Sequence, residues 1–285
     1  MRSSSLFPFL LVVLLTCWTT VSAQETIELS QAKSFVFALG LNNEDVASEL
    51  EKLRAHDLII VDGEEVSAEN ISLLKQNGSI VLGYVSVGTI ETGRSWYHKV
   101  KKFRLDLWGD WGEWYARVSK KKFRRILIKQ AVKPFLQKGF DGLFLDNVDM
   151  VAEYPKQTKG MRKLVKRIAK LVHDENKYVG AQNGDDVIGP FVPYLDHWNR
   201  EDVVSTYNFD TEVYEQVSER DTQSALETVS HLLETGLFVT TTDYVADVGG
   251  EIAQSAVSTA CGAGAVPYVG DIELTEITES PLLCE

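Results

Sequence analysis

Short apolar runs alternate with amphipathic stretches along most of the chain. Ser34–Leu39 reads as a first strand, and Asn43–Ala55 as a helix with Val46, Leu50 and Leu53 on one face. Asp57–Val61 is a second strand, ending at Asp62. Ser67 opens a second helix and Gly78 stops it. Ser79–Val87 is a third strand and carries Gly83-Tyr84. A long excursion follows, with Arg94, Trp96, Trp108, Trp111 and Trp114. Lys120–Gln137 has Phe123, Ile126, Leu127 and Ala131 at helical spacing, and Pro134 is expected to kink or shorten it. Leu143-Phe144-Leu145 reads as a fully buried parallel strand running into Asp146.

The alternation continues to the end of the chain. Thr158–Glu175 is a helix, and Tyr178–Ala181 a strand that runs into Gln182-Asn183. A short helix near Val187 leads to a sixth strand around His197–Val203. Thr222–Thr235 is a helix, and Leu237–Thr242 a strand ending in Asp243-Tyr244. Glu251–Cys261 is the last helix and Ala265–Val269 the eighth strand. Eight strand–helix alternations predict a single-domain α/β fold, a (β/α)8 TIM barrel. A doubly wound open sheet is the alternative, weakened by the lack of a Gly-rich phosphate loop after an early strand. Asp62, Ser86, Asp146, Asn183, Glu201 and Asp243 all fall at or just after strand ends, which in a barrel converge on one mouth. Some strand-end residues cap the following helix or stabilise a turn instead, and for Asp62, before Gly63, that reading is as good as the functional one. Asp141 precedes Gly142 at the far end of the fourth strand and reads as a turn residue.

The N-terminus sets the compartment. Arg2, the apolar run Leu6–Leu15 broken only by Pro8, and Val21-Ser22-Ala23 form a secretory signal peptide at 1–23, with an uncleaved anchor as the alternative. A secreted, extracellular barrel at 24–285 is expected, with no later segment long enough to cross a bilayer. Removing 1–23 takes away Arg2 and no acid, so the net charge moves from −12 to about −13. Such a balance disfavours nucleic acid and anionic membranes as partners and suits a neutral or cationic one. Cys261 and Cys284 remain after Cys17 leaves, either bridged or as two free thiols. Asn70 and Asn77 lie in glycosylation sequons. Lys120–Arg125 is a basic run that reads as a solvated helix face. His56, His98, His173, His197 and His231 show no metal-ligand spacing, and no Ser nucleophile elbow occurs, so no metal and no cofactor is expected. A monomer is expected.

Five segments carry a resemblance: Leu58–Asp62, Leu82–Gly88, Gly139–Asp146, Gln182-Asn183-Gly184 and Asp243-Tyr244. In that order they resemble the glycoside hydrolase family 114 domain over almost the whole chain after residue 23. The resemblance implies a (β/α)8 barrel with endo-α-1,4-polygalactosaminidase activity on a polysaccharide. It also implies that the acid ending Phe-Asp-Gly-x-x-x-Asp, here Asp146, is a catalytic carboxylate. The second is a Glu on a later strand, which Glu201 best matches, with Asp202 as the competing assignment.

Glycosidic cleavage needs one ionised and one protonated carboxyl on opposite sides of the bond. Asp146 is expected to be the nucleophile and Glu201 the acid/base, its pKa raised by walls such as Trp198. Tyr84, Tyr207, Tyr244, Tyr268, Trp108 and Trp111 are candidates to stack on sugar faces, with core packing as the competing role. Arg94 is expected to pair with an acid near the mouth, and Asn183 to join the substrate site. Asp62, Asp149 and Asp243 would recognise ammonium groups if the polymer is a cationic amino sugar. The competing function is a catalytically silent barrel that binds carbohydrate or a protein partner.

Overall fold

The computed structural model of the protein describes residues 27–284; the expected signal peptide and Cys17 lie outside the described residues. Eight parallel strands form one sheet in chain order. They are β1 (Phe35–Ala38), β2 (Leu58–Asp62), β3 (Ile80–Ser86), β4 (Gly142–Asp146), β5 (Tyr178–Gln182), β6 (His197–Glu201), β7 (Phe238–Tyr244) and β8 (Val266–Gly270). Each pairs in parallel with the next. Among the described residues β8 and β1 share no hydrogen-bonded ladder. The Tyr268 hydroxyl spans that seam instead, donating to the Phe37 carbonyl at 3.1 Å, and its ring packs on Phe35. The sheet is thus a nearly closed (β/α)8 barrel, as expected from the alternation.

Register decides which side chains face the barrel axis. Paired residues of parallel strands share a face, and the face alternates along each strand. Phe37, Ile60, Leu82, Phe144, Gly180, His197, Phe238 and Tyr268 belong to one such set and fill the interior. Gly180 is required there, because a Cβ would come within 2.8 Å of both the His197 ring and Phe144. The same parity carries Asp62, Tyr84, Asp146, Gln182, Glu201 and Tyr244 to the carboxyl ends, facing the axis.

Several expectations are revised. The helix expected over Asn43–Ala55 breaks at Glu49, leaving Asn43–Ser48 and Leu50–Leu53. Lys120–Gln137 is two α-helices, Lys121–Leu127 and Lys133–Lys138, joined by a π turn at Ile128–Val132. Pro134, which has no amide hydrogen to donate, falls in the first turn of the second helix and is accommodated there. The short helix expected near Val187 is displaced: residues 185–187 form a turn, and a 3-10 helix at Val192–Tyr194 leads into β6. The sixth strand stops at Glu201, because Asp202 takes a left-handed φ of 57°. The excursion after β3 forms a three-stranded antiparallel sheet of Thr89–Ile90, Glu113–Ala116 and Arg104–Trp108. Asp141 sits at the entrance of β4, accepting from the Val81 amide and pairing with Lys75 at 2.5 Å. Cys261 and Cys284 form a disulfide across a Cα separation of 5.3 Å, tying the tail to helix Glu251–Ala263. Asn70 is buried, with its amide spent on Asn43, whereas Asn77 is exposed. Among the described residues no helix is long and apolar enough to cross a membrane.

Candidate active site

A cavity of about 300 Å3 opens at the carboxyl ends of the strands. Asp62, Tyr84, Arg94, Asp146, Asp149, Asn183, Glu201 and Tyr244, all expected from sequence, line it. So do Glu91, Trp108, Trp111, Glu113, Asn147, Gln182 and, from the segment after β8, Ile272–Leu274.

Asp146 ends β4 with its carboxylate held by four donors. The Tyr84 hydroxyl donates at 2.5 Å, the Gln182 amide at 2.8 Å, and Asn147 through its backbone at 2.6 Å and its side chain at 2.8 Å. Asn147 reaches back to its neighbour because it adopts a left-handed φ of 57°. Burial pushes the Asp146 pKa up, and these donors oppose the shift. Glu201 accepts from the Asn183 amide at 2.6 Å and from the Tyr244 hydroxyl. Burial, reinforced by the charges of Asp202 and Asp146, pushes Glu201 up to about 8. The Asp146 charge thus helps keep Glu201 protonated at neutral pH. Consecutive residues at the end of β5, Gln182 and Asn183, hold the two carboxyls.

Asp62 and Arg94 reach the cavity but are engaged with protein. Arg94 forks between Asp62 at 2.7 Å and Glu91 at 2.5 Å, and Asp62 also accepts from the amides of Glu64 and Glu65. Asp62 thus stabilises the turn after β2 beside an ion pair, while Ser67 caps the helix that follows. Burial raises Glu91 and lifts Glu113 to about 8. Asp149 lines the cavity, and burial followed by the Asp146 charge lifts it to about 7, against the opposing pull of its own backbone N–H and the Arg200 charge.

Other expected site residues lie elsewhere. Asp243 points away from the axis, next to inward Tyr244, and its Oδ1 accepts from the amides of Val204 and Ser205. Tyr268 is 2% exposed and holds the barrel seam. Tyr207 packs on Phe209 and Tyr214 in the hairpin after β6 and does not line the cavity. Trp198 lies outside the cavity wall, donating to the Asn183 carbonyl at 3.0 Å. Asp202 does not line the cavity either, so the geometry favours Glu201 over it as partner to Asp146. Tyr84 and Tyr244 act through their hydroxyls on the two acids, and the exposed aromatic wall comes from Trp108 and Trp111. Sequence reasoning missed Gln182, Asn147, Glu91 and Glu113 as site residues. Gln182 was signalled by parity, two residues beyond inward Gly180, whereas Glu91 and Glu113 arrive from the excursion, whose fold no local pattern announced.

Among the described residues no cluster of three or more His, Cys, Asp or Glu side chains has metal-holding geometry. The sequence model of glycoside-hydrolase family GH114 matches residues 18–282. A Methanocaldococcus jannaschii protein with no described function is 25% identical over 273 residues, spanning 85% of this chain and 78% of its own. Solved structures that share the fold include two glycoside hydrolases. The glycoside hydrolase domain of PelA from Pseudomonas aeruginosa superposes with a TM-score of 0.73 at 17% identity, over 86% of this chain and 97% of its own. Ega3 of Aspergillus fumigatus, in complex with galactosamine, gives 0.68 at 18% identity, over 92% and 98%.

Proposed function

The chain belongs to glycoside hydrolase family GH114, and from that premise we propose that it is a secreted endo-acting enzyme cleaving α-1,4-linked galactosamine polymers by double displacement. Asp146 attacks the anomeric carbon as the C–O bond to the leaving sugar breaks, and Glu201 gives its proton to the departing oxygen. Glu201 then takes a proton from water, which releases the sugar from Asp146. The observation that carries this reading is the contrast between the two acids. Asp146 has four donors that favour its anion, whereas Glu201 is pushed up to about 8. Their attachment to consecutive residues, the last of β5 and the one after it, supports a short separation, which retention requires.

The wall chemistry supports a cationic sugar. Among the described residues Asp62, Glu91, Glu113, Asp146, Asp149, Glu201 and Glu273 line the cavity with Arg94 as the sole base, and Arg94 is spent on Asp62 and Glu91. The galactosamine bound to the similarly folded Ega3 agrees with that choice. The test is cleavage of a de-N-acetylated α-1,4-galactosamine oligomer, with products and their anomeric configuration followed by proton NMR. Asp146→Asn and Glu201→Gln should each lower turnover by about 10²–10⁴-fold. Unchanged cleavage by Asp146→Asn would sink the mechanism, and oligomer binding without cleavage by the wild type would leave a silent carbohydrate-binding barrel.

A further inference from the structure

A polar chain runs through the barrel interior, where apolar side chains are the rule. His197, Asn199, Thr240 and Thr242 are all 0% exposed. The Thr240 hydroxyl donates to Asn199 Oδ1 at 2.7 Å, and the Thr242 hydroxyl to the same atom at 3.1 Å. His197 Nε2 lies 2.8 Å from Thr240 Oγ1. Because the Thr240 hydrogen is directed at Asn199, Nε2 must be the donor in that contact. His197 Nδ1 has no partner among the described residues, so this tautomer leaves a lone pair bare rather than a buried N–H. The Asn199 amide then donates to Gln182 Oε1 at 3.4 Å, the longest link, and Gln182 Nε2 donates to Asp146 Oδ1 at 2.8 Å.

Each link fixes the direction of the next. An amide side chain presents either oxygen or nitrogen when rotated by half a turn. Two hydroxyl donors on Oδ1 settle Asn199, and its nitrogen on Oε1 settles Gln182. We propose that Thr240, Thr242 and Asn199, with His197 behind them, are positioning residues that hold the Gln182 amide with its nitrogen toward Asp146 and so keep that carboxylate an anion. The proposal rests on the catalytic role given to Asp146 only for its consequence in turnover. With the two hydroxyls gone, Asn199 is free to turn its oxygen to Gln182. Gln182 then turns its own oxygen toward Asp146, which replaces a donor by a repelling dipole.

The titratable groups that face Asp146 are Tyr84 from β3, Glu91 and Glu113 from the excursion, Asp149 beyond β4, Glu201 from β6 and Tyr244 from β7, with Arg94 on the same wall. Replacing Thr by Val alters none of their charges and nearly preserves shape. Thr241 supplies a control: it is buried on the opposite face of β7, and its hydroxyl has no partner among the described residues.

The experiment is a pH titration of the Asp146 carboxyl by carbon-13 NMR, its resonance assigned by its loss in Asp146→Asn. Thr240→Val/Thr242→Val should raise the Asp146 midpoint by about one pH unit. Thr240→Val alone, the milder change should the double variant not fold, should raise it less and in the same direction. Thr241→Val should leave it in place. On the oligomer, the acid limb of the kcat profile should move with the NMR midpoint while KM stays within about twofold. An unmoved midpoint in the double variant, or an equal shift in Thr241→Val, overturns the proposal. Full turnover by Asp146→Asn overturns the catalytic reading alone, because the NMR midpoint does not depend on activity.

Discussion

Tyr84 and Tyr244 perform the same task on different acids, and their removal separates the two limbs of the pH profile. The Tyr244 hydroxyl stabilises ionised Glu201, so Tyr244→Phe should move the basic limb, set near pH 8 by Glu201, further upward. Tyr84→Phe should move the acid limb upward instead, because Asp146 loses a donor to its anion. Initial rates across pH 4 to 10 distinguish the two outcomes. Asp149, which lines the cavity, should matter for charge recognition. Asp149→Asn should raise KM for the de-N-acetylated oligomer about tenfold and barely change it for the N-acetylated one. At this scale the sequence was readable wherever an acid ended an apolar strand, as Asp146 does. It was misleading where two polar residues adjoined, because only strand register tells that Tyr244 faces the axis and Asp243 the backbone of the connection after β6.

The excursion after β3 is the element that furnishes the cavity wall. Its antiparallel strands deliver Trp108, Trp111 and Glu113 over the barrel mouth. Trp108 stacks on Tyr115 with centroids 5.7 Å apart, and Trp111 meets Phe209 edge-on at 5.2 Å, which joins this element to the hairpin after β6. Trp111 remains 41% exposed. Trp111→Ala should therefore weaken oligomer binding about tenfold with little change in melting temperature, measured by calorimetric titration of the Glu201→Gln variant. The barrel strands were legible because both faces are buried and read as apolar runs. The excursion was not, since its strands are short and mostly not buried, and only Arg104–Trp108 alternates, charged residues with leucine, while Glu113–Ala116 sets two aromatics side by side. The π turn at Ile128–Val132 escaped for a related reason: Pro134 announces a disturbance but not the form that absorbs it.

Across the whole molecule, buried acids make the fold sensitive to alkali. Burial raises Glu113 and Glu201 to about 8, Asp149 to about 7 and Asp243 to about 6. The native state therefore holds more protons than the unfolded chain between about pH 4 and 8, and stability falls as pH rises through that window. The melting temperature should drop by at least about 3 °C between pH 5 and 8.5, and a flat or rising profile would contradict the assignment of these four acids. The seam between β8 and β1 has a consequence of a different kind. It is bridged by a tyrosine hydroxyl, ring packing and, just past the strand ends, the Gly40 amide on the Leu274 carbonyl at 3.3 Å instead of a ladder, so it is the line along which the cylinder can open into a ribbon without unzipping a pair of strands. Amides of Phe35–Ala38 and Val266–Gly270 should exchange with deuterium before those of Gly142–Asp146. The barrel that carries Asp146 would then breathe from the side farthest around the ring, leaving the strands beneath the two acids the last to loosen.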